Sequence, residues 1–406
     1  MGQQKLSPLC RLCAKKIKSE DELVLGRKPL CNYFSSIKLN KVDLYNLAIG
    51  QCLSCGLVQL TQHPQAIAIT PRHSWLRYNE PESHLDEVGD YLNLAFAVGG
   101  PEVLALGPFE QPLIKLLGSQ FQKKEVDINK YISVVEDRFP YLEAYQSLCA
   151  KETVELIKDE LGLSDLVICR YLLEHSNQPV QFLQSLGQLL KTDGMLYIEI
   201  PDSRKFLESC DYSFIWEEHL SYFTDETFRY LAEISGYEIV RSMKFSGALE
   251  DALVYILKPR LGSYKVDSSC LQSQCNVFRR YIDNFSIIQK KYHEEFENLV
   301  SSGKKLALFG AGHQAIMFIN LFQVDRYLSC IIDDDCNKVG TFLPGTNLEI
   351  ISSSEAFRDK LFSTFLLAIS PNIEEKIVHK IQESYRQDCS YYSIFQKSEL
   401  GTLISQ

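Results

Sequence analysis

The sequence lacks an excess of basic residues, and it has no apolar run long enough to cross a membrane. Its formal net charge is -10 and its pI is near 5.4. Because binding along nucleic acid depends on neutralising phosphates, this charge argues against a nucleic-acid partner. The most apolar stretch, between Leu306 and Phe322, is interrupted by Gly310, Gly312 and His313. We therefore expect no contact with a membrane.

The first residues also lack the apolar core of a signal peptide, and Leu6 stands where a myristoylation signal needs serine or threonine. Most of the 13 cysteines stand singly among apolar residues, as reduced thiols do in the cytosol. We expect a cytosolic protein. Its 406 residues exceed what one hydrophobic core usually serves, so two large domains and a small one are expected.

One cysteine cluster has a pattern. Cys10 and Cys13 form one CxxC pair, and Cys52 and Cys55 form a second. Four thiolates presented by two tight turns can close a tetrahedral zinc site with no position left for water. The spacing predicts a structural zinc site; a redox pair is the alternative, but that chemistry normally uses a single CxxC motif.

From about Glu102 the sequence alternates between strand and helix patterns, which indicates a parallel sheet with helices on both faces. A helix is predicted from Pro179 to Leu190, followed by a turn at Thr192 to Gly194. The predicted strands are Val103–Leu106, Ser164–Cys169, Met195–Ile200 and Leu253–Leu257. In such sheets ligands bind beyond the carboxyl ends of the strands, so the loops there are candidate binding loops.

Three segments of the chain resemble a known family. Residues 169–175 and 193–202 are similar to the distal half of a class I methyltransferase core, and Trp216 to Thr224 is similar to the E-H-x-x-Y-F segment of sugar C-methyltransferases. That family also begins with a zinc-binding domain and ends with a Rossmann-like domain. The resemblance implies zinc binding in residues 1–70, a doubly wound α/β methyltransferase domain in 71–260, and a connecting helix with a Rossmann-like domain in 261–406.

The resemblance implies S-adenosylmethionine as cofactor and structural zinc. The first loop departs from the family, because Gly107 stands where several glycines are usual. Gly107 is still expected to contact the cofactor, and Asp127 is expected to hold its ribose, although an acid there is equally an ordinary loop or cap residue. The other expected cofactor contacts follow the strand at Ser164: Arg170, Leu172, Leu173, Glu174 and His175.

Methylation of a sugar carbon requires a base that removes a proton beside a ketone, and a donor that stabilises the enolate. His219 is the predicted base, with Glu218 orienting its ring, and Tyr222 and Tyr78 are the predicted donors. A histidine among aromatic residues is otherwise a structural side chain. The implied substrate is a nucleoside-diphosphate keto-deoxysugar.

A second glycine loop opens the C-terminal part. Gly310, Gly312 and His313 lie between a strand at Leu306 and a helix, and a second strand ends at Asp333. In the family this region helps to hold the substrate nucleotide, which makes Gly310, Gly312 and His313 substrate-binding candidates. Two alternatives stay open: a nucleotide-sugar oxidoreductase that binds NAD at this loop, and a non-catalytic binding protein with a degenerate methyltransferase fold.

Overall fold

Three sheets follow one another along the chain in a computed structural model of the protein. The structure describes residues 7–38, 43–76, 80–97, 99–127, 130–131, 150–260, 272–359, 361–385 and 388–404. The N-terminal sheet has the order β1-β2-β3-β8 and is antiparallel. Its strands are β1 (Glu22–Lys28), β2 (Tyr45–Gln51), β3 (Val58–Gln62) and β8 (Ser221–Tyr222), and the short helix α1 (Ala66–Ile69) follows β3. The fourth strand therefore comes from a distant part of the chain.

The central sheet has the order β5-β4-β6-β7-β10-β9, and β10 runs antiparallel to both of its neighbours. Its strands are β4 (Glu102–Ala105), β5 (Gln122–Glu125), β6 (Ser164–Arg170), β7 (Leu190–Asp202), β9 (Tyr237–Phe245) and β10 (Asp251–Pro259). Its helices are α2 (Leu85–Ala95), α3 (Gln111–Leu116), α4 (Lys151–Leu161), α5 (Pro179–Gly187), α6 (Arg204–Ser209) and α7 (Asp225–Ile234).

Alternate strand residues of this sheet enter two separate cores. Leu104 and Val167 pack in the core that also contains residues of α4, α5 and α7, whereas Val103 and Leu166 pack with residues of α2 and α3. Because successive strand residues point to opposite faces, helices cover both faces of the sheet. The predicted doubly wound fold is confirmed, and all four predicted strands are present.

One predicted boundary is wrong. The helix α5 ends at Gly187, and the predicted turn at Thr192 to Gly194 lies inside the 13-residue strand β7. Leu190 pairs with Ser164, and Met195 already pairs with Leu166, so the intervening residues form a bulge. Asp193 has a φ of 66° there. A bulge accommodates turn-forming residues without ending the strand.

The C-terminal sheet is parallel, with the order β13-β12-β11-β14-β15. The long helix α8 (Gln272–Ser301) leads into it, and the remaining elements are β11 (Leu306–Phe309), α9 (His313–Phe322), β12 (Leu328–Ile332), β13 (Ile350–Ile351), α10 (Ser353–Asp359), β14 (Thr364–Leu367), α11 (Pro371–Ser384) and β15 (Ser390–Ser393). This is the predicted Rossmann-like domain. In the part of the chain that the structure describes, no helix is both long and apolar enough to span a bilayer.

Candidate functional site

The four cysteines predicted to bind zinc come together. Cys10 Sγ lies 3.3 Å from Cys55 Sγ, and Cys13 Sγ lies 3.4 Å from Cys52 Sγ. All four sulfur atoms lie within 4.8 Å of one another. Since tetrahedral Zn–S bonds of about 2.3 Å place the sulfurs about 3.8 Å apart, this arrangement fits a zinc ion. A site with four protein thiolates is closed to substrate, so its role is structural.

The zinc-binding turn is attached directly to the segment that carries His219. Arg11, between the first two cysteines, donates hydrogen bonds from Nη1 to the carbonyl oxygens of Leu60 (2.7 Å) and Leu220 (3.1 Å). The amide of Leu60 also donates to Leu220, and β8 pairs with β3 immediately afterwards. The small domain therefore holds residues 220–222 in place.

The first loop of the central sheet is held by an acid of the chain itself. Glu110 accepts hydrogen bonds from the amides of Gly107 (2.9 Å) and Arg170 (3.0 Å), which join the ends of β4 and β6. Burial raises the pKa of Glu110 to about 7. A Cβ on Gly107 would lie 2.6 Å from Leu172 Cδ1, so Leu172 packs closely over the glycine. The Gly107 amide is thus engaged inside the protein.

Arg170 has a structural role in this arrangement. Its guanidinium forms a bidentate ion pair with Glu199, with Nε–Oε2 at 2.6 Å and Nη2–Oε1 at 3.0 Å. It also donates to the carbonyl oxygens of Phe109 and Pro81. His84 Nε2 lies 2.9 Å from Glu199 Oε1. Arg170 therefore ties the first loop and the segment before α2 to the sheet, because a buried guanidinium needs this many acceptors.

The other predicted cofactor contacts divide into buried and exposed residues. Asp127 is exposed beyond the end of β5. At the end of β6, Tyr171 adopts a φ of 50°, and its buried hydroxyl has no hydrogen-bond partner among the described residues. The residues that follow it are all buried: Leu172, Leu173, Glu174 and His175. Their contact with a cofactor stays a prediction.

Two of the cavities share Trp216 and His313 in their walls, and His219 lines the larger of these two. Its ring packs 4.8 Å from the ring of His175 and 4.7 Å from that of Trp216, measured between centroids. Within the described residues its ring makes no hydrogen bond, and burial lowers its pKa well below the ordinary value. The ring is therefore neutral at physiological pH, which is the form that can accept a proton.

Two of the three residues predicted to assist His219 make other contacts. Glu218 accepts a hydrogen bond from Asn32 Nδ2 at 3.2 Å and does not bond the His219 ring, so the predicted orienting contact is absent from the described residues. The Tyr222 hydroxyl donates to the Trp216 carbonyl and accepts from the Trp216 amide. Its proton is thus used to fold the loop. Tyr78 lies outside the described residues.

Ser221 is a cavity residue that the sequence analysis missed. It lines the larger cavity beside His219, and its buried hydroxyl has no hydrogen-bond partner among the residues described. A buried hydroxyl without a partner is costly, which makes it a candidate donor to a ligand. Ser221 is recognised as a candidate only because its hydroxyl has no hydrogen-bond partner among the described residues. The sequence contains no signal for that property.

The larger cavity measures about 640 Å³ and carries unbalanced acidic groups. Glu80 and Glu250 line it, and neither forms an ion pair or hydrogen bond within the described ranges. Burial and the nearby Glu250 raise the pKa of Glu80 to about 8, and burial raises the pKa of Glu250 to about 7. Arg170 attracts the Glu80 carboxylate without forming an ion pair with it, so both carboxylates are suited to bind a positively charged ligand.

The smaller cavity, of about 330 Å³, lies where all three parts of the chain meet. Gly312 and His313 of the C-terminal glycine loop line it, together with Lys338, Trp75 and residues of the zinc-binding domain. The ring of His313 stacks on Trp216 at 4.6 Å, and these two side chains line both cavities.

The two glycines of this loop, Gly310 and Gly312, differ in their conformation and surroundings. Gly310 has a φ of 103°, and a Cβ there would lie 2.4 Å from the Ala368 carbonyl oxygen. Gly312 precedes the first residue of the ten-residue helix α9, and open space surrounds the position of its Cβ. The free amide groups at the N-terminus of a helix attract anions such as phosphate. Gly312 and His313 therefore line the smaller cavity, where their contact with substrate stays a prediction, and Gly310 shapes the turn.

Asp333 bears on the oxidoreductase alternative. Its Oδ2 accepts from the amide of Ala311 at 2.8 Å and lies 3.3 Å from Lys338 Nζ, while Oδ1 accepts from the amide of Asp335 at 2.9 Å. Both carboxylate oxygens are engaged by the protein. Because each carboxylate oxygen can accept two hydrogen bonds, Asp333 keeps capacity for a ribose, and the NAD alternative stays open.

The central site fits S-adenosylmethionine in its charge. The cofactor carries a sulfonium and an ammonium group, and the larger cavity offers Glu80 and Glu250, neither of which forms an ion pair among the described residues. The unpartnered hydroxyl of Tyr171 lies at the end of β6, the edge at which doubly wound sheets bind ligands. The Gly107 amide contributes nothing to this fit, because it already donates a hydrogen bond to Glu110.

Fold and site together define a class I methyltransferase fold with a thiolate zinc centre and an acidic cavity at the ends of the strands. Three family models match consecutive parts of the chain: a zinc binding domain over residues 10–69, a methyltransferase domain over 107–242 and a C-methyltransferase C-terminal domain over 266–394. Each model covers less than half of the chain, and each part of the chain is similar to its family, so the resemblance to C-methyltransferases with a zinc-binding domain is confirmed.

One curated relative is the C-methyltransferase NovU of Streptomyces niveus, 23% identical over 228 residues; the alignment covers 50% of this chain and 51% of that protein. The chain thus spans about half the length of this relative. Among solved structures, a methyltransferase from Clostridium acetobutylicum has a TM-score of 0.31 at 10% identity, covering 45% of this chain and 93% of that one. A magnesium protoporphyrin IX methyltransferase from Synechocystis has a TM-score of 0.30 at 14% identity, covering 45% and 89%.

Proposed function

We propose that this protein is an S-adenosylmethionine-dependent C-methyltransferase that acts on a nucleoside-diphosphate keto-deoxysugar. The observation that carries the proposal is His219, a neutral imidazole with no hydrogen bond among the described residues, at the wall of an acidic cavity. The zinc-binding domain fixes the segment that carries it, because β8 pairs with β3. A relative with the name C-methyltransferase supports the reaction type.

The substrate is placed across both cavities. The nucleotide occupies the smaller one, where the amide end of α9 and Lys338 suit a diphosphate and Trp75 offers an aromatic surface for a base. The keto-sugar then lies past His313 and Trp216 in the larger cavity, beside His219. This assignment extends the predicted role of Gly312 and His313 in substrate binding.

The reaction begins with a carbon acid. His219 removes a proton from the sugar carbon next to the ketone, and the electron pair of the C–H bond moves into the enolate. Ser221 donates its hydroxyl proton in a hydrogen bond to the enolate oxygen, in place of the predicted Tyr222. When bound, S-adenosylmethionine supplies an electrophilic methyl group. Glu80 and Glu250 would hold the cationic cofactor through charge attraction, and the buried walls exclude water from the carbanion.

The test uses methyl-labelled S-adenosylmethionine with a panel of keto-deoxysugar nucleotides. His219→Asn is expected to lower the turnover rate by about 100-fold or more, as removal of a general base does. Ser221→Ala is expected to lower it by about 100-fold. Matched controls are His379→Asn and Ser384→Ala, two exposed positions on α11. Full turnover by His219→Asn would remove that residue from the mechanism.

The arrangement of Glu110 at the first loop of the central sheet favours a second candidate function, that of a non-catalytic protein that binds nucleotide sugars. Glu110 already occupies the Gly107 amide, and Leu172 packs over it. Calorimetry separates the two functions. Heat and a thermal shift with S-adenosylmethionine support the enzyme, whereas binding of the sugar nucleotide alone supports the second candidate.

A further inference from the structure

Three side chains that can bind a metal meet behind the cavity wall, far along the chain from the thiolate centre. Glu174 and His175 follow β6, and His219 lies in the loop before β8. One carboxylate oxygen and one ring nitrogen from each histidine lie within 4.8 Å of one another. The two imidazole rings stand at 90° to each other.

The surroundings of Glu174 are the second observation. Glu174 is 1% exposed, and its Oε2 has no hydrogen-bond partner among the residues described. A buried carboxylate oxygen without a donor is unfavourable unless a cation or a ligand satisfies it. The carboxylate of Glu174 belongs to the same group of ligands as the two imidazole rings.

The two histidines are also arranged as metal ligands. The ring of His175 donates a hydrogen bond to the backbone carbonyl of Glu218. A contact of this kind fixes the orientation of metal-binding histidines. Burial keeps both imidazoles neutral, and the neutral ring is the form that ligates metal. His219 lines the larger cavity, which provides the route for an ion.

The ligand atoms of Glu174, His175 and His219 must move slightly closer together to bind a metal ion. Tetrahedral zinc with nitrogen and oxygen ligands places neighbouring ligand atoms about 3.4 Å apart. Closing the present separations requires the His219 ring to turn inward, and no hydrogen bond within the described ranges opposes that movement. Two nitrogens and one oxygen form a borderline set that suits zinc or cobalt, with the fourth position open to the cavity.

We propose that Glu174, His175 and His219 bind a divalent transition-metal ion, at a site separate from the four cysteines. Binding engages the lone pair of His219, so the metal inhibits methyl transfer. The inhibition rests on the proposed function, in which His219 is the base. The binding itself does not depend on any catalytic activity.

The experiment titrates the zinc-loaded protein with Co2+. Cobalt bound by nitrogen and oxygen gives weak visible bands, whereas cobalt in the thiolate site adds intense sulfur-to-metal charge-transfer bands. We expect a second equivalent of metal per chain with the first kind of spectrum. Glu174→Gln and His219→Gln should weaken this second site at least about tenfold. His313→Gln, a neighbouring histidine outside the triad, should leave it intact.

The thiolate centre serves as the folding control for each variant, because it forms only in a folded N-terminal domain. A variant that keeps its zinc and loses the second equivalent supports the site. Absence of a second equivalent in the unmodified protein, or its full retention in Glu174→Gln, overturns the site. Binding without inhibition leaves the site standing and refutes the role of His219 as base.

Discussion

The link between the zinc centre and the proposed base is tested most directly by Arg11→Ala. The guanidinium of Arg11 bonds the carbonyl oxygens of Leu60 and Leu220, and Leu220 is the residue after His219. Burial lowers the pKa of Arg11 to about 10, so it stays charged at neutral pH. Removing it cuts both of these contacts, and a third with His63, while leaving every cysteine ligand in place.

The expected loss follows from the kind of bond. A hydrogen bond from a charged donor contributes about 1.5–3 kcal/mol; the two to backbone carbonyls are lost, together with the contact of Nη2 with His63 Nε2 at 3.0 Å. The carbonyl of Leu220 keeps the hydrogen bond from the Leu60 amide, which reduces the penalty. We expect a fall of about 3 kcal/mol in the free energy of unfolding, and at least about a tenfold fall in turnover because the His219 segment loosens.

The assay combines urea unfolding, zinc content and methyl transfer. Arg27→Ala is the matched control, since Arg27 lies in the same domain, is exposed and bonds only the carbonyl of Leu44 among the described residues. The control should keep both its stability and its turnover. A destabilised Arg11→Ala protein with unchanged turnover would refute the view that the zinc-binding domain positions the base.

Three further predictions follow from single features. Chelating the zinc is expected to lower the melting temperature before turnover falls at low temperature, measured by calorimetry beside the rate, because no thiolate touches substrate. The Glu80 carboxyl, with its pKa near 8, ionises as pH rises, so affinity for the cationic cofactor should increase between about pH 7 and 9, and Glu80→Gln should flatten that titration. Gly310→Ala should cost about 3 kcal/mol in urea unfolding, because its φ is 103° and the Cβ meets a carbonyl at 2.4 Å, whereas Gly303→Ala, with open space around it, should cost about 1 kcal/mol.

The local pattern of the sequence was enough for the zinc centre and for the order of the strands. Two CxxC pairs define their ligands within a few residues, and alternating apolar residues identify each strand. The loop at Gly310 was also recognisable, because glycine spacing between a strand and a helix is itself a local signal. The class of fold and the family resemblance depend on such short segments.

Only the tertiary structure decided which side chains serve the cavity. Arg170 and Tyr222 looked available in the sequence, but Glu199 and the Trp216 backbone engage them. Ser221 gains its position because β8 pairs with β3, whose residues lie far away in the chain. Hydrogen bonds between such distant residues are set by packing rather than by neighbouring residues, so the composition of a motif does not reveal which polar groups are left for a ligand.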